Sequence, residues 1–224
     1  MLFDCYGTLI RWNEGLEATF AEILRDKAAA VPASAFRDAF KAHSYALIQQ
    51  AYRPYKEILR ESLRHALAQY RLPYFDADAR RLLEAIPRFP AHPEVHDVLR
   101  HIRTAVPLAM ISNSDDDLLP GSLRQIGVLF DPVVTADEAR AYKPAEAIFR
   151  LAMQKMGCGP GEFVHVAAGW WTDIEPATRL GLHKVWINRR GERGDPACQP
   201  YAELPDLTGL PELLGIAEPP RAEG

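Results

Sequence analysis

The spacing of buried-type positions divides the chain into two blocks with different rhythms. Between residues 13 and 91 they recur at three- and four-residue steps: Leu16, Phe20, Ile23 and Leu24, then Phe36, Phe40, His43 and Leu47. The strongest stripe is Tyr55, Ile58, Leu59, Leu63, Leu67 and Tyr70. Such spacing lines one face of an amphipathic helix. Leu82, Leu83 and Ile86 predict a shorter fourth helix, stopped by Pro87 and Pro90. Nothing in this block alternates as a strand does, so residues 13–91 are expected to form an all-helical module.

After Pro87–Pro93 the pattern changes. A helix through Val95, Val98, Leu99 and Ile102 leads into the apolar run Val106–Ile111 and then Ser112-Asn113-Ser114. A helical stretch runs to about Gly127, followed by the short run Val133-Val134. A helix is predicted over Ala145–Met156, closed by Gly157. Val164–Ala167 reads as a strand, Asp173–Leu180 as a helix capped by Gly181, and Lys184–Ile187 as the last clear strand. Apolar strands alternating with helices predict an α/β fold with a doubly wound parallel sheet. The opening run Met1–Asp4 is a strand too short to stand alone, so it belongs to that sheet. Either this strand is stubby or native residues precede Met1. The helical block is then an insertion, giving a discontinuous core (1–12 and 92–224) and a cap (13–91). Glu218–Gly224 reads as a frayed tail.

With 224 residues, 48% hydrophobic and 25% charged, the composition is that of a globular protein. The net charge of -4 gives no reason to expect nucleic acid or an anionic membrane as partner. No apolar run approaches the roughly 18 residues of a spanning helix, and no basic-then-apolar leader opens the chain. Cys5, Cys158 and Cys198 are few, odd in number and far apart, which excludes a disulfide framework or a thiolate metal cluster. The cytoplasm is the expected location. The apolar cap faces leave a homodimer open.

Parallel α/β sheets bind ligands beyond the carboxyl ends of their strands. Those ends are Asp4, Ser112-Asn113, Thr135 and Ala167-Ala168. Asp4 runs into Tyr6-Gly7-Thr8, where Gly7 permits a tight turn. Taken alone, Asp4 is equally a strand-to-turn residue and a nucleophile. Ser112 and Asn113 offer a hydroxyl and a carboxamide at the end of an apolar run, though both types are also ordinary caps. Lys143, just before Pro144, could keep a nearby carboxylate ionised. Asp173 opens the helix after the fourth strand, where an Asp is also a common dipole partner.

The order is the informative feature: carboxylate after strand one, Ser after a later strand, Lys-Pro before a helix, then Asp after another strand. In this order the chain resembles the haloacid dehalogenase superfamily, from Leu2 to about Arg190, and the helical insertion resembles that superfamily's cap. Phosphatases of the superfamily carry Asp-x-Asp, whose second Asp protonates the leaving alcohol. Here that position is Tyr6, a phenol with an ordinary pKa near 10. Asp4-Cys5-Tyr6-Gly7-Thr8-Leu9 instead looks like the Asp-x-Tyr-Gly-Thr-Leu run of the L-2-haloacid dehalogenases, whose halide leaving group needs no proton. Those enzymes place an Arg on the first long cap helix to receive the halide, and Phe36-Arg37 looks like the corresponding pair.

The resemblance implies two-step nucleophilic catalysis on a small anionic substrate. Asp4 would attack the halogen-bearing carbon, Arg37 would draw off the halide, and water held by Asp173 and Lys143 would hydrolyse the ester. Thr8, Tyr6, Ser112 and Asn113 would orient Asp4 and the substrate carboxylate, with no cofactor and no metal. The chain departs from that pattern in the fourth motif, where Ala168 and Trp170 stand for Ser and Asn, and at Phe149, which stands for Tyr. Trp170 and Trp171 could serve as a platform or as packing. His165, within a strand, and His183 read as structural. A Mg²⁺-dependent phosphatase, with Asp4, the Tyr6 carbonyl and Asp173 around the ion, and a non-catalytic binding protein are the competing readings.

Overall fold

The computed structural model describes residues 1–199 and 201–217. The expected tail at Glu218–Gly224 lies outside the described residues.

The first strand, β1, is Leu2–Asp4, all three residues buried. Four helices follow: α1 (Trp12–Asp26), α2 (Ala33–Ile48), α3 (Tyr55–Gln69) and α4 (Asp76–Ala85), with a 3₁₀ turn at Ile86–Arg88. Most of each predicted stripe is buried; Leu16, Phe20, Ile23 and Leu24 are so on α1, and Ile58, Leu59, Leu63 and Leu67 on α3, while His43, Tyr70 and Leu83 are half-buried. The stripes meet in an aromatic cluster, where Phe20 lies 5.0 Å from both Phe36 and Phe40. Fully burying such side chains contributes about 1.5–3 kcal/mol each.

Then come α5 (Val95–Arg103), β2 (Ala109–Ser112), α6 (Leu119–Ile126), β3 (Val133–Thr135), α7 (Ala136–Ala139), α8 (Glu146–Met156) and β4 (Val164–Ala167). The chain closes with α9 (Glu175–Arg179), β5 (His183–Ile187), β6 (Ala202–Leu204) and α10 (Leu210–Leu213). All strand pairs are parallel, in the order β3-β2-β1-β4-β5-β6. Leaving β1, the chain builds one side of the sheet through β2 and β3, then crosses to the other with β4. The carboxyl end of β1 is therefore the point where strand order reverses, the usual crevice for a ligand in an open α/β sheet. Asp4 occupies that end.

Three features depart from the sequence-based expectation. β6 is an extra edge strand of three residues, none fully buried. The helix after β4 does not begin at Asp173: residues Trp170–Ile174 form a π-helical turn, and α9 starts at Glu175. Single π turns in proteins often accompany functional sites. The helix expected from Ala145 begins one residue later, at Glu146, with Ala145 as its N-cap.

Candidate active site

Strand ends bring the site together. At β1, Asp4 points its carboxylate to Lys143 Nζ, 2.6 Å from Oδ1, and accepts a hydrogen bond from Thr8 Oγ1 at Oδ2, 2.5 Å. Gly7, with φ of +90°, makes the turn that returns Thr8 to Asp4; an L side chain would be strained there. Thr8 in turn accepts from the Ala168 amide at 2.8 Å, tying the ends of β1 and β4 together.

Lys143 is 1% exposed and bridges two carboxylates, Asp4 and, at 2.7 Å, Asp173 Oδ1. Its main chain is gripped by Asn113, whose Oδ1 accepts from Lys143 N at 2.7 Å and whose Nδ2 donates to Lys143 O at 3.0 Å. Asn113 thus fixes the lysine across the gap between β2 and α8.

Behind Lys143 lies a partner that strand patterning did not single out. His165, wholly buried on β4, places Nε2 3.0 Å from Asp173 Oδ1 and Nδ1 3.2 Å from the Leu2 carbonyl oxygen. Both ring nitrogens lie within hydrogen-bond distance of an acceptor. The Phe149 ring meets this imidazole edge to face at 5.4 Å, where the family resemblance led us to expect a Tyr hydroxyl. Asp173 Oδ2 accepts from Thr172 Oγ1 at 2.6 Å. The buried row therefore reads Asp4, Lys143, Asp173, His165, with the ammonium between two carboxylates.

Electrostatics follow from that row. Burial pushes Asp4 upward, and although Lys143 pulls it back, the neighbouring Asp173 leaves the net shift upward. Burial also opposes ionisation of Asp173, but Lys143 and then His165 outweigh it and hold this carboxyl at about 2. Of the two carboxylates sharing Lys143, Asp4 takes the first proton. Burial would lower Lys143, yet Asp173 and Asp4 together raise it, so it stays an ammonium. Burial raises the Tyr6 phenol, so this hydroxyl remains neutral and is no proton shuttle.

The reactive face is a cavity of about 100 Å³ over Asp4. The sheet side of its wall is Tyr6, Asn113, Lys143, Gly169 and Thr172; the helical side is Trp12, Ser44, Tyr45, Ile48 and Tyr55. Asp4, Lys143, Tyr6 and Asn113 therefore stand together where the sequence put them. Thr8 and Asp173 do not line the cavity and act through Asp4 and Lys143 instead. Ser112 also stays behind it, its Oγ buried and without a partner.

Arg37 is a correction. It is held by Glu17 of α1 and by Asp38, 2.7 Å away, and it does not reach the cavity. Two acidic side chains, Glu17 and Asp38, satisfy its guanidinium. The Trp pair is likewise not a platform over Asp4. Trp170 packs on Trp186 and Tyr201, with centroids at 4.6 and 5.5 Å, and Trp171 meets Tyr45 at 5.9 Å.

Gly169 was not singled out by the sequence, and its need for hydrogen is steric: a Cβ there would overlap Thr172 Oγ1 and Asp173 Oδ2. All four carboxylate oxygens of Asp4 and Asp173 already accept from Lys143, His165, Thr8 or Thr172. Among the described residues no group of three His, Cys, Asp or Glu side chains is placed to hold a metal ion, and no helix is long and apolar enough to cross a membrane.

The family model for haloacid dehalogenase-like hydrolases matches residues 1–181. The chain belongs to that family. Among its relatives, (S)-2-haloacid dehalogenase 1 of Pseudomonas sp. (strain CBS-3) is 27% identical over 218 residues, covering 95% of both chains. A solved L-2-haloacid dehalogenase is 26% identical with a TM-score of 0.82, covering 96% of this chain and 97% of that one. Phosphoserine phosphatase of Thermus thermophilus is 30% identical over 136 residues, 58% of this chain and 55% of that one. Of these three, the two of near-full length are dehalogenases, in line with Tyr6 at the place of the phosphatase Asp.

Proposed function

We propose that this family member is a 2-haloacid dehalogenase acting on small anionic substrates through a covalent ester on Asp4. The observation that carries the reading is the neutral, half-buried Tyr6, standing where a phosphatase has its acid, beside an Asp4 held by Lys143. Such a site suits a leaving group that departs as a stable anion and fails one that must be protonated.

In the first step an Asp4 carboxylate oxygen attacks the halogen-bearing carbon from behind. The carbon–oxygen bond forms as the carbon–halogen bond breaks, and the electron pair leaves with the halide. Water then adds at the Asp4 carbonyl carbon, and collapse releases the 2-hydroxyacid, a proton and free Asp4. Lys143 neutralises Asp4 in both steps. Asp173 and His165 hold Lys143 in place, and Thr8 fixes the rotation of the Asp4 carboxylate. Residues 13–91 would act as a cap, since Tyr45, Ile48 and Tyr55 close the cavity from the helical side.

Halide release from L-2-chloropropionate tests this, with Asp4→Asn as the inactive control. Mass spectrometry under single-turnover conditions should find the substrate acid on the peptide that carries Asp4. Equal release by wild type and control across a panel of 2-haloacids would refute the reading. Metal-stimulated turnover of p-nitrophenyl phosphate would favour the phosphatase instead.

A further inference from the structure

Helix α3 starts without a cap of its own. Its N-cap is Pro54, whose ring can accept no hydrogen bond, while the first amides of any helix lack partners within it. The missing acceptor comes from the sheet side of the molecule. Asp115, 2% exposed on the loop between β2 and α6, takes the Tyr55 amide at Oδ1, 2.6 Å, and the Lys56 amide at Oδ2, 2.9 Å. A carboxylate there also meets the positive end of the helix dipole.

The same short segment of the helical block is gripped three more times. Lys56 Nζ donates to Asp117 at 2.6 Å, Tyr52 Oη donates to Asp137 at 2.8 Å, and Tyr142 Oη donates to the Arg53 carbonyl at 2.6 Å. The Tyr142 ring lies 5.4 Å from that of Tyr52 and 6.0 Å from that of Tyr55. The anchoring residues sit beside the reaction site. Asp115 follows Asn113 by two residues, and Tyr142 directly precedes Lys143, so the loops that hold residues 52–56 also carry the Asn113–Lys143 pair. Tyr55 in turn is part of the cavity wall over Asp4. Where the chain passes between the helical block and the sheet, its two strands of linker meet through backbone bonds, Arg11 N to the Pro90 carbonyl and His92 N to the Leu9 carbonyl, both 2.9 Å.

We propose that Asp115 is a positioning residue: by capping α3 from the sheet side, it sets the Tyr55 wall of the cavity against Asp4 and Lys143. It touches neither substrate nor nucleophile and acts through the α3 amides. The consequence for turnover rests on the dehalogenase reading; the coupling between α3 and the Lys143 loop does not.

A cap supplied in cis separates positioning from simple helix capping. Asp115→Ala, Asp115→Asn and the double variant Asp115→Ala/Pro54→Asp are compared with wild type, since an Asp at position 54 can cap α3 from within its own segment. The measurements are melting temperature, amide hydrogen exchange, and kcat/KM for halide release from L-2-chloropropionate. Asp115→Ala should lower kcat/KM about tenfold or more, because a displaced wall spoils the approach to Asp4. It should also speed exchange both at Tyr55–Glu57 and across Asp137–Lys143. Asp115→Asn, which keeps one acceptor oxygen, should lie between it and wild type, and it carries the comparison should the Ala variant not fold. In the double variant, melting temperature and protection at Tyr55–Glu57 should return, while kcat/KM and exchange across Asp137–Lys143 stay altered. The proposal is overturned if the double variant recovers kcat/KM and Asp137–Lys143 protection together with its melting temperature, for Asp115 is then only a cap. It is equally overturned if Asp115→Ala and Asp115→Asn leave both unchanged. Should wild type itself release no halide, the dehalogenase reading fails, and exchange across Asp137–Lys143 decides this proposal alone.

Discussion

His165→Phe offers the sharpest test of the buried charge row. Phe fills much the same volume as the imidazole, so the perturbation removes two hydrogen bonds without opening a large cavity. The bond to Asp173 is to a charged group, of the kind that contributes about 1.5–3 kcal/mol, and the bond to the Leu2 carbonyl is of the ordinary kind, about 1 kcal/mol. A loss of roughly 2–4 kcal/mol is expected, which for a chain of this size lowers the melting temperature by roughly 5–12 °C at pH 7. The pH dependence gives a second reading. Asp173 is held at about 2 in the folded state, below the unfolded value of about 3.9. A depressed carboxyl contributes stability that is present above pH ~4 and lost as pH falls toward ~2, on the order of 2–3 kcal/mol in all. Without His165 the folded-state pKa moves up and this acid-labile contribution shrinks. Urea melts of both proteins between pH 2 and pH 7 measure both effects. His165→Gln, which can still donate to Asp173, should recover part of the loss. A Phe variant as stable as wild type at pH 7, with an unchanged acid dependence, would refute the account of His165 as a hydrogen-bond partner of Asp173.

Three further outcomes follow from the same geometry. Lys143→Met leaves two buried carboxylates facing each other; it should cost about 3–5 kcal/mol in urea unfolding and abolish turnover, and a change under 1 kcal/mol would contradict the bridging role. Gly169→Ala puts a methyl group onto Asp173 and Thr172, so kcat should fall at least tenfold while far-ultraviolet circular dichroism stays native; wild-type kcat would contradict the close approach. Because Asp4 must be ionised to attack and its pKa is raised by burial, kcat/KM should decline with falling pH through an apparent value above about 3.9. A profile flat down to pH 4 would count against that.

Much of the fold could be read in the sequence because burial here is periodic. Most of the stripe on each of α1, α2 and α3 is buried as its spacing predicts, and the apolar runs at Ala109–Ser112 and Val164–Ala167 became strands. Where burial does not organise the residues, the sequence was silent. Ala202–Leu204 is held by backbone pairing with β5 and carries no alternation to detect. The π turn at Trp170–Ile174 was equally hidden, since one extra residue per turn leaves no mark in polarity. Its visible trace was the count from Asp173 back to Ala168 and Trp170, which missed the expected polar pair.

Within the site, strand ends were legible and side-chain partners were not. Asp4, Asn113 and Lys143 sit at positions that a parallel sheet must bring to one edge, so order along the chain was enough. Arg37 shows the limit. Periodicity places it on α2, but not its partner: Glu17, on a different helix, takes it into an ion pair. His165 shows the same limit in reverse. Alternation puts it inside the sheet, but its partner Asp173 comes from a turn whose geometry departs from the helix predicted there. Each residue that sequence order misplaced has its role set by a single contact from another segment. Exchanging that contact, by removing Glu17 or restoring a hydroxyl at Phe149, is the direct way to ask whether these placements are set by the cap or by the sheet.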